Sequence, residues 1–302
     1  MKINRNLKWA LVLSGGGAKG LAHIGVLKTL EEMRFPRPSL IAGTSMGAII
    51  GGIYACGMSA ADIYKFALEE FNIVHYLDSF VFKLNGPFGR IFQIGQILSS
   101  LASRQGIDSG QRLLALFERL TEGKSFDETQ IPFRCNAVDL ISGDEVILNS
   151  GSVARAMRAS MAIPGFFDPL VEGPRLLIDG GLADNMPVAI ARKEGFKRIL
   201  AVNVNSYTPI PRDSLKNGPA VVFRAMETVM NILDKKDGYN ASLTINATDD
   251  SSIISFFRLR ELIELGERVV GENRKAVEAF FGKGAAAYFA RKKNRKCGVS
   301  GG

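Results

Sequence analysis

Apolar residues in this chain come in short runs separated by stretches of helical spacing, and the alternation begins near the N-terminus. Lys8 to Leu13 is a brief apolar run that stops at Ser14-Gly15-Gly16-Gly17-Ala18-Lys19-Gly20. Leu21, Ile24, Leu27, Lys28 and Leu30 to Glu32 then follow the spacing of an amphipathic helix. Leu40-Ile41-Ala42 repeats the pattern, leading through Gly43-Thr44-Ser45-Met46-Gly47 into an uncharged apolar helix. Two strand-loop-helix units in succession predict an α/β protein with a parallel sheet. The stretch from Leu40 to Ala61 has no charge and is long enough to be mistaken for a membrane span. The Gly43, Gly47, Gly51 spacing would also suit membrane helix pairing, but a helix buried in a protein core reads the same way and is preferred.

Further along, helices are predicted from Met58 to Phe71 and over Gln111 to Leu120. A hairpin is predicted from Ile131–Leu140 through the turn Ile141-Ser142-Gly143-Asp144 into Glu145–Leu148. Ser152 is a candidate N-cap for a helix ending near Ser160, ahead of the stop signal Pro164-Gly165. Arg175 to Ile178 reads as a strand ending in Asp179-Gly180-Gly181, followed by a helix to Lys193 and a strand from Arg198 to Asn203. A helix from about Ala220 to Lys235, a strand near Leu243 to Ala247, and helices over Leu259–Gly271 and through Phe281 complete the pattern. Phe80 to Leu101 differs, since Phe80, Phe82, Phe88 and Phe92 are interleaved with Gly86, Pro87, Gly89, Lys83 and Arg90. It reads either as a surface segment packed over the core or as a mobile apolar and basic cover touching lipid. No internal repeat or long linker interrupts the chain. One domain is expected over residues 1–289, with a basic, disordered tail over 290–302.

Composition adds limits rather than a function. The chain has 302 residues, 46% of them hydrophobic and 23% charged, enough for a sizeable core. Cys56, Cys135 and Cys297 are odd in number and scattered, so neither a disulfide framework nor a metal cluster is indicated, and reduced thiols in a cytoplasmic protein are expected. The apolar run after Lys2, Arg5 and Lys8 is too short for a secretory signal. A net charge of +8, densest at Arg291-Lys292-Lys293-Asn294-Arg295-Lys296, favours acidic surfaces such as membrane headgroups. No nucleic-acid motif accompanies it.

The chemistry centres on Gly43-Thr44-Ser45-Met46-Gly47, a G-x-S-x-G sequence at a strand-to-helix junction, where a nucleophile elbow presents its serine. An ordinary tight turn remains open on the pentapeptide alone. The glycine loop offers N–H groups at a helix start, suited to a phosphate, a dinucleotide or a developing oxyanion. Gly15, Gly17 and Gly20 match G-x-G-x-x-G, but the next strand runs into Ser45 rather than ending in an acid, and Lys19 is not followed by Ser or Thr. The oxyanion reading is therefore favoured. His23 and His75 both precede Asp179, which excludes an ordinary hydrolase triad with its histidine last, and both are assigned structural roles. Asp179 remains as partner to Ser45. A carboxylate becomes a useful base for a hydroxyl only when burial disfavours its charge.

With these residues the chain resembles the patatin-like phospholipases, in the bacterial branch similar to neuropathy-target-esterase catalytic domains. The resemblance spans roughly residues 8 to 280 and rests on Gly15-Gly16-Gly17-Ala18-Lys19-Gly20, Gly43-Thr44-Ser45-Met46-Gly47, Ala159-Ser160-Met161-Ala162-Ile163-Pro164-Gly165 and Asp179-Gly180-Gly181. It implies a three-layer α/β/α fold on a mostly parallel sheet, Ser45 as nucleophile with Asp179, and the amides of Gly15, Gly16 and Gly17 as the oxyanion hole. Lys19 stands where family members often carry arginine. The resemblance further implies ester cleavage in phospholipids or lysophospholipids, without a metal or other cofactor. Peripheral membrane contact is an expectation that rests on the basic and aromatic surface alone.

Overall fold

The computed structural model describes residues 2–77, 105–216, 218–237, 241–249 and 256–297. The Phe80 to Leu101 segment lies outside them. An eight-stranded sheet runs β10-β9-β1-β2-β4-β8-β7, with β5 also paired to β4. Its strands are β1 (Ala10–Leu13), β2 (Leu40–Gly43), β4 (Phe133–Asp139), β5 (Glu145–Leu148), β7 (Leu170–Glu172), β8 (Arg175–Asp179), β9 (Ile199–Asn203) and β10 (Leu243–Asn246). β10, β9, β1, β2 and β4 are mutually parallel, while β5, β7 and β8 pair antiparallel. Two short strands, β3 (Gly106–Asp108) and β6 (Gly165–Phe167), pair separately. β3, β6 and β7 have no counterpart in the hydrophobic pattern, because three residues are too few to show a period.

The sheet is covered on both faces, giving the three-layer α/β/α arrangement. Side chains alternate across a strand, so Leu11 and Leu13 of β1 join the larger core while Ala10 and Val12 face the smaller one. On the larger side pack α1 (Ala22–Glu32), α2 (Met46–Ala55) and the helices Ala60–Glu69, Val153–Ser160 and Leu259–Glu272. On the other side Val188, Ile190 and Ala191 of the helix Val188–Lys193 meet Ala10, Val12, Leu40 and Ala42. The central strands are buried on both faces, which accounts for their continuous apolar runs. The uncharged stretch at Leu40 thus becomes one inner strand and one core helix. Among the described residues no helix is long and apolar enough to cross a membrane.

The ends of the chain close on this core. Trp9, 1% exposed, meets Phe280 and Phe281 edge to face, with centroids 5.8 and 5.0 Å apart, and its indole N–H donates to the Pro36 carbonyl. The helix Arg274–Phe281 is thereby pinned to the start of β1. A further helix, Ala285–Cys297, occupies most of the stretch expected to be a disordered tail. Arg291 donates to the carbonyls of Ala279 and Gly282, linking this helix to the end of the one before it. Replacing Trp9 by Ala removes a large, fully buried side chain and leaves a cavity far from the sheet's carboxyl end. It is expected to cost about 3–5 kcal/mol of stability, measurable by urea denaturation.

Candidate active site

Ser45 stands between β2 and α2 with φ 52° and ψ −119°, an unusual conformation for a side chain that is not glycine. The neighbouring glycines permit it. A Cβ on Gly43 would collide with the Gly47 carbonyl, and one on Gly47 would collide with the Leu13 carbonyl of β1. The turn is therefore sharp and presses α2 against the adjacent strand. The Ser45 N–H donates 3.0 Å to the Ser160 hydroxyl at the end of the helix Val153–Ser160. Ser45 itself is buried, and its Oγ is left to reach forward into a cavity.

It reaches Asp179. The Ser45 hydroxyl donates 2.8 Å to Asp179 Oδ2 across 134 residues of chain. The register of the sheet explains how. β2 ends at Gly43, opposite Cys135 of β4. β8 pairs with β4 from Asp179, opposite Ala137, to Leu177, opposite Asp139. Because β5 pairs with β4 from Cys135 to Val138, overlapping both stretches, β2 and β8 must share the other edge end to end. Asp179 therefore stands directly beyond the end of β2, where the chain has just turned into Ser45. The aspartate does end its strand as expected, but that strand runs antiparallel and descends to the carboxyl ends of the parallel ones.

A buried polar bolt holds this junction. Asn136, on β4 between the two registers, has its Oδ1 2.8 Å from Thr44 Oγ1, and its Nδ2 donates to the carbonyls of Asp184 and Gly180. The loop before the serine and the loop after the aspartate are thus fastened to one side chain. No sequence signal marks Asn136, Ser160 or Asn185. Ser160 lies within residues 159–165, but nothing in the chain's order signals which serine will support another.

The glycine loop lies beside Ser45. The Gly15 N–H donates 3.0 Å to the Asn185 carbonyl and is already engaged. Among the described residues the N–H groups of Gly16 and Gly17 have no such acceptor. Gly17 takes a positive φ of 55° as the loop turns into its short 3-10 segment. Of the histidines, His23 lies beneath this loop with Nε2–H donating 2.9 Å to the Ser14 carbonyl, and burial pushes its pKa down to about 4. It is neutral and structural at neutral pH. His75 is exposed on the short helix Ile73–Tyr76. Among the described residues no group of three or more His, Cys, Asp and Glu could hold a metal ion.

The family model for patatin-like phospholipases matches residues 11–192, spanning the glycine loop, Ser45 and Asp179. The chain belongs to this family. Among its relatives are the lysophospholipase NTE1 of Kluyveromyces lactis, 32% identical over 216 residues, which are 69% of this chain and 14% of that protein. Human patatin-like phospholipase domain-containing protein 6 is 33% identical over 199 residues, 65% of this chain and 13% of its own. An uncharacterized NTE family protein of Mycobacterium bovis is 33% identical over 209 residues, 69% of this chain and 52% of its own. The chain thus matches a small part of the yeast and human proteins and about half of the mycobacterial one. In fold it resembles VipD from Legionella pneumophila, with a TM-score of 0.50 at 17% identity, over 89% of this chain and 68% of that one.

Two cavities meet at the patatin-like serine, one of mixed polarity and one apolar. One, about 430 Å³, is lined by Ser45 and Asp179 together with Lys19, Asn185, Asn205 and Arg224. The other, about 340 Å³, runs from Ser45 and Met46 past Ile49, Ile53, Phe66 and Phe117 and is almost wholly apolar. Gly17, Ser45, Ile163 and Phe223 line both. At their junction burial raises the Asp179 pKa to about 6, an effect that the hydrogen bonds from Gly181 and Ser45 restrain. In the unfolded chain the same carboxyl titrates near 4. The native state therefore holds this proton more tightly, and the resulting stability is complete below about pH 4 and lost as pH rises through about 6. His23 acts in the opposite sense, its contribution being lost as pH falls from about 6.5 through about 4. Asp179→Asn removes only the first effect. The variant is expected to be more stable than the parent by on the order of 3 kcal/mol at pH 8, with the advantage shrinking toward pH 4, as read by urea melts across that range.

Proposed function

We propose that this domain is a serine acyl hydrolase that cleaves carboxylic esters of phospholipids or lysophospholipids, with Ser45 as nucleophile and Asp179 as its only side-chain base. The observation that carries this reading is the 2.8 Å hydrogen bond between Ser45 and a buried carboxylate, at the point where a cavity of mixed polarity and an apolar one meet. An ester whose acyl chain lies in the apolar cavity, with its headgroup among Lys19, Asn205 and Arg224, brings its carbonyl to Ser45. The lysophospholipase name of the yeast relative agrees with such a substrate.

The steps follow from what each group can hold. Asp179 accepts the Ser45 proton as Oγ bonds to the carbonyl carbon. The carbonyl oxygen becomes negative, and the N–H groups of Gly16 and Gly17 are the donors the loop has available for it. Collapse expels the alkoxide, which takes the proton from Asp179 and leaves an acyl-Ser45. Water then gives a proton to Asp179, attacks the acyl carbon, and releases the fatty acid as the proton returns to Ser45. A pKa raised to about 6 suits both directions of transfer, whereas an exposed carboxylate would be too weak a base. Without an imidazole the site should favour esters over amides, whose leaving groups need more help.

Ser45→Ala and Asp179→Asn are each expected to lower hydrolysis of a short-chain nitrophenyl ester by at least about a thousand-fold. A fluorophosphonate should label the parent at Ser45 and leave Ser45→Ala unmodified. An unlabelled, inactive parent would remove the hydrolase reading. Because Asp179 must be ionised to accept the proton, kcat/KM is expected to rise with pH along an acid limb of apparent pKa about 6, and a pH–rate profile on the same ester measures it.

A further inference from the structure

The helix Gly218–Asp237 turns its faces the wrong way for a surface helix in water. Phe223, Arg224, Met226, Glu227, Met230 and Asp234 line the cavity that holds Ser45 and Asp179. The opposite arc carries Val221, Val222, Ala225, Val229 and Ile232, all exposed. At 3.6 residues per turn these five fall within an arc of about 100°. Val221 and Val229 are each 49% exposed, Val222 60% and Ile232 55%. An ordinary amphipathic helix puts such a stripe inward and its charges outward. Here Arg224, Glu227 and Asp234 line the cavity, and Arg224 is held there by Glu227, the Thr208 carbonyl and the Tyr207 ring.

We propose that this apolar arc docks on the surface of an anionic phospholipid bilayer. The proposal rests on the lipid-ester reading above, and three observations select the occupant. The same helix is apolar outside and forms a wall of the candidate active site inside, so docking would bring the cavity within about one helix diameter, roughly 10 Å, of the layer that supplies the substrate. The preceding loop extends the apolar surface through Ile210 and Leu215, 39% and 37% exposed. Arg212 and Lys216 are exposed beside them, and Asp213 is the sole acid between Asn205 and Ala225 in a chain of net charge +8. An apolar stripe flanked by cations is the chemistry of an interfacial helix, which lies in the headgroup plane and is drawn to anionic lipid.

Co-sedimentation of the full chain with vesicles of phosphatidylcholine and phosphatidylglycerol tests the assignment. Binding is expected, and it should weaken on pure phosphatidylcholine and in high salt. The double variant Val222→Glu/Val229→Glu should bind at least about ten-fold more weakly while its thermal melting stays put, since both side chains stand in solvent. Ile232→Trp should bind more tightly. Undiminished binding by the glutamate variant would overturn the proposal. So would a parent that hydrolyses a monomeric nitrophenyl ester yet ignores vesicles, an outcome that leaves the hydrolase reading intact. If the glutamates instead split a dimer in sedimentation velocity, with vesicle binding unchanged, a second copy covers the face and the bilayer does not. Vesicle binding without ester turnover or fluorophosphonate labelling would uphold docking and remove the hydrolase.

Discussion

The structure depends on two strands sharing one edge of a third. β4 is longer than the parallel strand beside it, and where β2 stops the antiparallel β8 takes over the vacant edge. That handover puts an alcohol and a carboxyl group in contact without either belonging to a neighbouring segment of chain. The polypeptide must leave β2 abruptly, because Asp179 already occupies the line that β2 would have followed. The strained backbone at Ser45 is the local cost of this arrangement, and a core packed on both faces of the sheet offsets it.

Electrostatics then follow from position. Asp179 is buried, accepts one hydrogen bond from Ser45 and one from the Gly181 N–H, and is kept from losing its proton as readily as an exposed carboxyl would. Removal from water raises its pKa, and the two donors limit the rise. A carboxyl group in that state can take a proton and give it back near neutral pH, so one residue can perform the work commonly divided between an imidazole and its orienting acid. The helices and the Asn136 bolt contribute stiffness. They fix Thr44, Ser45 and the Asp184 loop relative to one another, as proximity-based chemistry requires.

The site is also divided by polarity. An apolar cavity and one of mixed polarity share the same hydroxyl, a division that matches an amphiphile. The helix Gly218–Asp237 extends the division outward, with Arg224, Glu227 and Asp234 lining the cavity and Val221, Val222, Val229 and Ile232 exposed.

Most of this protein's elements could be read from its sequence. Short apolar runs gave the central strands because a strand buried on both faces has no polar alternation to obscure it. Glycine spacing marked the turn at Ser45, since only glycine tolerates the approaches that Gly43 and Gly47 make. The positions of His23 and His75 ahead of Asp179 narrowed the chemistry to a serine and an acid. What the chain order could not convey was pairing between distant segments. The direction of β8, the handover on β4, the bond from Gly15 to Asn185 and the support of Ser45 by Ser160 all join residues far apart, and no local period encodes them. The same holds for Arg291, whose bonds to the carbonyls of Ala279 and Gly282 join it to the end of the helix before its own. Propensity and spacing are properties of neighbours along the chain, whereas the approach of one carboxyl group to one hydroxyl is decided only when the sheet closes its ranks in three dimensions.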